Sequence, residues 1–300
     1  MKNRFFLVWC ALGALIFFPG HVAPVLAQNT GLQQETWVHP KTYKPIAKLW
    51  NRQAKQHNVS GKRTWLGPIS GNGTKDRKHK AGYRHTLIHV PDRWVPTKPT
   101  ELLIWLHGHN GFNKFGIRIL RHLDARFNRG DNVIVVAVEQ PWSHWTRTRT
   151  SRNGTGPFRK PGEFEEWMPQ VLNILGSYGV PVQEILSKDI TLYGHSAGGS
   201  GIKSMSKSGA LQILRPGKIV FSDSTYGRWF DVVYDKYIKH NPGTKVFVLT
   251  KKWQAPYMSM RRFFKERKSV AGNVLHVALS KGWSHKRIGD NCLLYPEKPF

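Results

Sequence analysis

Cysteine is nearly absent: the 300 residues contain two. Cys10 lies inside an apolar stretch close to the start, so removal of that stretch leaves Cys292 alone. One cysteine excludes an intrachain disulfide, and the chain has to stand on its packed core. Acidic residues are scarce too, 18 Asp and Glu against 46 Lys and Arg, for a formal charge of +28. A surface of that sign repels cations and attracts anionic polymers. Apolar runs of membrane-crossing length are missing, since the run at 5–18 falls short of the roughly 20 residues a bilayer needs. Internal repeats are missing as well, which argues against a solenoid or propeller.

The first 27 residues read as a signal peptide. Lys2 and Arg4 precede the apolar run, Pro19-Gly20 follows it, and Val25-Leu26-Ala27 supplies small residues before Gln28. Lys2 and Arg4 leave with this leader and no acid does, so 44 bases remain against 18 acids, or +26. An exported protein so charged meets envelope polyanions, anionic lipid surfaces or stray nucleic acid. Residues 28–82 have weak periodicity, with a short helix expected over 45–56 and a basic loop over 67–80. They form an N-terminal extension expected to pack on a catalytic domain at 83–300.

Alternation of strand and helix patterns begins at Tyr83. Strands are expected over 83–90, 101–107, 132–138, 190–193, 218–221, 245–249 and 273–279. Helices are expected over 115–128, 163–177, 198–214, 228–240 and 258–268, each with apolar residues at helical spacing. Such alternation implies an α/β fold, a mostly parallel central sheet with helices on both faces. Active sites in such sheets lie beyond the carboxyl ends of the strands.

One stretch carries chemistry. Ile190-Thr-Leu-Tyr193 reads as a buried strand, Gly194-His195-Ser196-Ala197-Gly198 as a tight turn, and the following residues as a helix. Gly-x-Ser-x-Gly in that setting is a nucleophile elbow: the turn lifts the serine hydroxyl clear of the sheet, and the positions two before and two after it have no room for side chains. Ser196 is the candidate nucleophile. Ala197, whose N–H opens the helix, is a candidate oxyanion donor. His195 reads as a packing or polar filler.

With Leu106-His107-Gly108 at the end of an earlier strand and His285 after the last one, this order resembles the α/β-hydrolase superfamily over about 83–285. The resemblance makes His285, in Gly282-Trp283-Ser284-His285, the base. The superfamily's usual place for the triad acid reads Thr250-Lys251-Lys252-Trp253-Gln254 and holds no carboxylate. The preceding strand ends Ser222-Asp223-Ser224, and some members place the acid there, so Asp223 is the candidate, with Asp231 and Asp290 behind it. The second oxyanion N–H is expected from His109, with Asn110 next.

Two histidines at 107 and 109 also suit a shared metal, but no acid follows them, and neither metal nor cofactor is expected. The stretch 139–161 is a candidate specificity loop in which Trp142, Arg147 and Arg149 hold an anionic or sugar-bearing substrate. Two functions from different classes fit the sequence. One is an exported serine hydrolase, periplasmic or secreted, cleaving an ester or an amide through an acyl-enzyme. The other is a non-catalytic basic module that binds envelope polyanions on a hydrolase scaffold. Specific nucleic-acid binding has charge alone to support it, and no transmembrane anchor is expected.

Overall fold

The computed structural model describes residues 63–69, 85–109, 123–140, 157–185, 189–280 and 282–291. The leader at 1–27, the expected helix at 45–56, Cys292, and Trp142, Arg147 and Arg149 lie outside them. Strands β1 (Thr64–Pro68), β2 (His85–His89), β3 (Glu101–Leu106), β4 (Val133–Val138), β5 (Ile190–His195), β6 (Lys218–Ser222), β7 (Lys245–Lys251) and β8 (Val274–Leu279) form one sheet in the order β1-β2-β4-β3-β5-β6-β7-β8. β1 and β2 run antiparallel to their neighbours, and all pairs from β4 to β8 are parallel. The edge strand β1 thus comes from the stretch read as an N-terminal extension.

Burial on both faces explains the composition of the central strands. β4 is Val-Ile-Val-Val-Ala-Val and every residue is buried, as is every residue of β5. Even indices on the neighbouring strands, Leu102, Ile104 and Leu106, face one apolar layer with Ile134, Val136 and Leu192. Leu103 and Trp105 face another with Val135, Ala137 and Tyr193. A side-chain period of two sends alternate residues to opposite cores, so a strand covered on both sides has to be apolar throughout.

Helix α1 (Glu163–Ser177) matches the expected span. It buries Phe164, Trp167, Val171, Ile174 and Leu175, and its first turn carries Glu163, Glu165 and Glu166, where the helix dipole favours negative charge. The Trp167 indole N–H donates to Thr86 Oγ1 at 3.0 Å, tying α1 to β2. Just before α1, Phe158 has a positive φ of 55° yet is fully buried, its ring 5.2 Å from Phe164 and 4.8 Å from Trp167. The end of the 139–161 loop is held there by an aromatic plug.

Two expected helices are shorter than their apolar pattern. The helix over 198–214 is two, α2 (Gly198–Ser208) and α3 (Ala210–Leu214), because Gly209 takes φ 91° and ends the first. The helix over 228–240 is α4 (Trp229–Lys236) followed by a 3-10 turn at Ile238–His240. Helix α5 (Ala255–Glu266) begins three residues earlier than its pattern suggested, with Pro256 in its first turn, where a missing N–H costs nothing. A last helix, α6 (His285–Asn291), was not expected at all. No helix among the described residues is long and apolar enough to cross a membrane.

Candidate active site

The carboxyl ends of β3 and β6 flank Ser196. The residue follows β5 directly and takes φ 54°, a left-handed conformation that disfavours a non-glycine residue by about 1–2 kcal/mol. Neighbours enforce the turn. The Ser196 N–H donates to Ser222 O at 3.1 Å, so β6 grips the elbow one residue past the ladder. A Cβ on Gly194 would come within 2.7 Å of Ile202 Cδ1 and 2.9 Å of the Gly198 carbonyl carbon. A Cβ on Gly198 would strike the Leu106 carbonyl oxygen. Both elbow glycines are therefore fixed by contact, as the spacing implied.

His285 and Asp223, separated by 62 residues in sequence, are joined by a hydrogen bond of 2.6 Å from His285 Nδ1 to Asp223 Oδ2. The Asp223 side chain is 2% exposed and that of His285 41%, so the carboxylate is walled in and the ring opens outward. Asp223 also has positive φ, 47°, and its backbone is pinned by its N–H to Leu249 O at 2.7 Å. Its second oxygen, Oδ1, accepts the Lys251 N–H at 3.1 Å. Both carboxylate oxygens are thereby engaged, which orients the acid and with it the ring.

His285 owes its place to the start of α6. Ser284 Oγ accepts the Arg287 N–H at 3.0 Å, a side-chain cap for the helix that begins at His285. Behind it, His195 Nε2–H donates to the His285 carbonyl at 3.2 Å, and the two imidazole rings lie 4.7 Å apart. The residue before the serine thus holds the backbone of the histidine loop. Gly289 is the other half of this contact, since a Cβ there would run into the His195 ring. The sequence offered no signal for Gly289 and named His195 only as a filler.

The loop after β3 lies against the serine from the other side. A Cβ on Gly108 would fall 2.9 Å from Ser196 Cβ and 3.1 Å from His195 Nδ1. This close approach brings the backbone at 108–109 beside Ser196. His109 is exposed on the surface by area, yet burial of its ring and then the charge of His285 hold its pKa below the usual histidine value. Ala197 is buried at the N-terminus of α2, where amide N–H groups have no intrahelical acceptor. Asn110 lies outside the described residues.

His107 is engaged elsewhere. Its Nε2 accepts the Gln140 N–H at 2.8 Å, so Nδ1 carries the proton and donates to Gly108 O at 2.5 Å. The Gln140 side-chain amide also donates to His107 O. Nε2 ties the β3 loop to the end of β4 and Nδ1 closes on the next residue of that loop, so both ring nitrogens are engaged and the 107/109 pair is unsuited to a shared metal. Among the described residues no group of three or more His, Cys, Asp or Glu is arranged to hold a metal ion.

Asp231, a fallback for the acid, is occupied at another place. It is buried between α4 and α5, 3.0 Å from Arg262 Nη2 and 3.5 Å from both Arg228 Nη1 and Arg267 Nη1. The side chain of the other fallback, Asp290, is outside the described set. One residue that sequence reasoning missed lies beside the site: Tyr226, three residues after Asp223 on the same loop, whose phenol pKa is raised by burial and then by the charge of Asp223. No motif or spacing points to it.

No family model matches the chain, and no curated protein matches it in sequence. Solved structures do. The feruloyl esterase module from Clostridium thermocellum complexed with sinapinate is similar at 13% identity and TM-score 0.52, covering 87% of this chain and 93% of the module. The BES protein from Bacillus cereus is similar at 14% identity and TM-score 0.46, covering 77% and 93%. The enterobactin and salmochelin hydrolase IroE is similar at 14% identity and TM-score 0.47, covering 77% and 94%. Together with the parallel sheet, the elbow after β5 and the strand order, the first of these likenesses shows that the chain has the α/β-hydrolase fold.

Proposed function

We propose that the protein is a serine hydrolase that cleaves a carboxylic ester through an acyl-enzyme on Ser196. The observation that carries this reading is the 2.6 Å bond between His285 and a fully engaged, buried Asp223, tied to the strained Ser196 elbow through the bond of His195 to the His285 carbonyl. Asp223 accepts the Nδ1 proton of His285, which leaves Nε2 as the base. Nε2 takes the Ser196 hydroxyl proton as Oγ attacks the ester carbonyl. The carbonyl electron pair moves onto oxygen, where the N–H groups of Ala197 and His109 stabilise it. His285 then returns its proton to the leaving oxygen, and a water repeats the sequence to free the acid.

The reading extends to export through the leader at 1–27 and to a substrate within the cell envelope, which the charge of +26 after its removal favours for an anionic polymer. Trp142, Arg147 and Arg149 are the residues proposed to touch it, and 83–300 the catalytic domain. Ester is chosen over amide because the neighbour with the higher TM-score is a feruloyl esterase; hydroxycinnamoyl esters therefore belong in the substrate screen. A fluorophosphonate probe tests the core of the proposal. The wild type should label and Ser196→Ala should not. Absence of labelling in both, with salt-sensitive retention on an anionic polymer, points instead to a binding module.

A further inference from the structure

The peptide that carries the His109 N–H is gripped at its other end. It is trans, so the Gly108 C=O and the His109 N–H point in opposite directions, and whatever holds the oxygen aims the hydrogen. Gly108 O accepts His107 Nδ1–H at 2.5 Å. His107 is in turn held at two points by Gln140, the second residue after β4. The Gln140 N–H donates to Nε2 at 2.8 Å, which fixes the ring proton on Nδ1. The Gln140 side-chain amide donates to the His107 carbonyl, and both residues are fully buried. Packing alone does not call for that amide. Among the described residues no donor reaches its buried Oε1, which lies so close to α2 that a Cβ on Gly201 would come within 2.8 Å of it. A buried unpaired oxygen and a glycine inside a helix each destabilise the fold. What the amide returns is its N–H on the His107 carbonyl. On the far side Gly108 rests on the elbow, where a Cβ would fall 2.9 Å from Ser196 Cβ.

We propose that His107 and Gln140 are positioning residues that aim the His109 N–H at the oxygen that becomes negative when Ser196 attacks. The inference rests on the serine-hydrolase reading and names what sets its second oxyanion donor. Neither side chain touches the substrate; both act through the Gly108–His109 peptide. Gln140 holds the imidazole in the tautomer that donates, and the imidazole holds the peptide plane. A hydrogen bond accepted at Gly108 O also polarises the peptide, which makes its N–H the stronger donor. Without the Nδ1–H the plane can turn about its flanking bonds, and Gly108, lacking a Cβ, resists that turn least of any residue. Such a turn takes the N–H off the oxyanion and leaves the bond between His285 and Asp223 in place.

Labelling by a fluorophosphonate and by its thiono analogue, with sulfur in place of the phosphoryl oxygen, tests the aim. In both, Ser196 Oγ bonds to phosphorus, its proton goes to His285 and fluoride leaves. Sulfur is the weaker acceptor and gains less from aimed N–H groups, so the oxygen-to-sulfur ratio of labelling rates reports on the oxyanion donors. His107→Leu should lower the fluorophosphonate rate about 10- to 100-fold, the scale for misplacing one donor, and lower the ratio by a similar factor. His107→Asn, which keeps a side-chain N–H near Gly108 O, should recover part of both. Gln140→Met leaves the backbone N–H on Nε2 and should lower both by about threefold. An unchanged ratio in His107→Leu, or a ratio in His107→Asn as low as in the leucine variant, overturns the proposal and leaves the serine-hydrolase reading intact. No labelling of the wild type by the fluorophosphonate overturns both. Should His107→Leu fail to fold, Gln140→Met decides: a lowered ratio supports the positioning role, and a wild-type ratio overturns it.

Discussion

The two ends of the central strands are built on opposite principles. At the amino end, buried charge is paired, and of the left-handed non-glycine residues only Arg215, φ 46°, lies just before a strand, β6. Arg126, 2% exposed, forks onto both oxygens of Glu101 at 3.2 and 2.5 Å and reaches Asp131 at 2.8 Å, where Arg129 joins. Arg126 holds the Glu101 pKa below the usual carboxylate value against the opposing effect of burial. Asn132 closes the neighbouring turn by accepting the Val95 N–H and donating to Val95 O. A cavity of about 420 Å³ opens among these groups, with Lys98, Asp189 and Lys218 on its wall. At the carboxyl end, three strands leave through non-glycine residues in the left-handed region: Ser196 after β5, Asp223 after β6 and Trp253 after β7. Such conformations cost on the order of 1–3 kcal/mol each and persist when the surroundings over-determine them. One set of strands thus pairs buried charge at one end and gathers strained turns around Ser196 and Asp223 at the other.

Substitutions at the two ends should therefore separate activity from stability. Asp223→Asn keeps the size of the side chain but removes the charge that orients and stabilises the His285 imidazolium. Hydrolysis of p-nitrophenyl acetate should fall by roughly 10³- to 10⁴-fold, with a small change in melting temperature. At the other end, Arg126→Ala strands Glu101 as a largely buried carboxylate and leaves Asp131 with Arg129 alone. The loss should be about 3 kcal/mol in urea unfolding, with unchanged turnover per folded molecule. A large stability loss in Asp223→Asn, or a large loss of turnover in the Arg126 variant, breaks the comparison.

The carboxyl end was the more legible of the two because strained turns need special residues. Gly194 and Gly198 announce the elbow, since any side chain there meets Ile202 or Leu106. Continuous apolar runs such as Val133–Val138 announce buried parallel strands. The charged anchor at the amino end left no such mark: Arg126, Glu101 and Asp131 resemble any exposed charges in sequence, and pairing over 25 positions appears only after folding. The same holds within the site. Gly289 against the His195 ring and the His195 bond to the His285 carbonyl are long-range contacts between loops, which local periodicity does not encode. Helix ends failed for a related reason. The apolar pattern runs through Gly209 because both α2 and α3 pack on the same core, and only the φ of that glycine breaks them.

The smallest expected effect lies between the two ends, on the edge strand β8. His276 shares a hydrogen bond of 2.8 Å between its Nε2 and Thr250 Oγ1, and its ring is stacked on Phe264 at 5.8 Å with Tyr257 at 6.2 Å. Burial lowers its pKa from 6.5 to about 4. The unfolded chain therefore takes up a proton first as pH falls, and His276 subtracts stability from about pH 6.5 down to about pH 4. Between pH 7 and pH 5 its share should be about 1 kcal/mol, since the ring is partly open to solvent. His276→Gln should flatten the pH slope of the urea midpoint by that amount. A residual slope of the same sign should remain from His89, lowered to about 3 by burial and then by Arg63, and from His109. Turnover should be unchanged at pH 7, because none of the partners of His276 reaches Asp223, His285 or Ser196. An unaltered slope in the variant places the acid sensitivity at the histidines nearer the sheet interior and the active site, and returns the distinction between the two ends to the centre of the sheet.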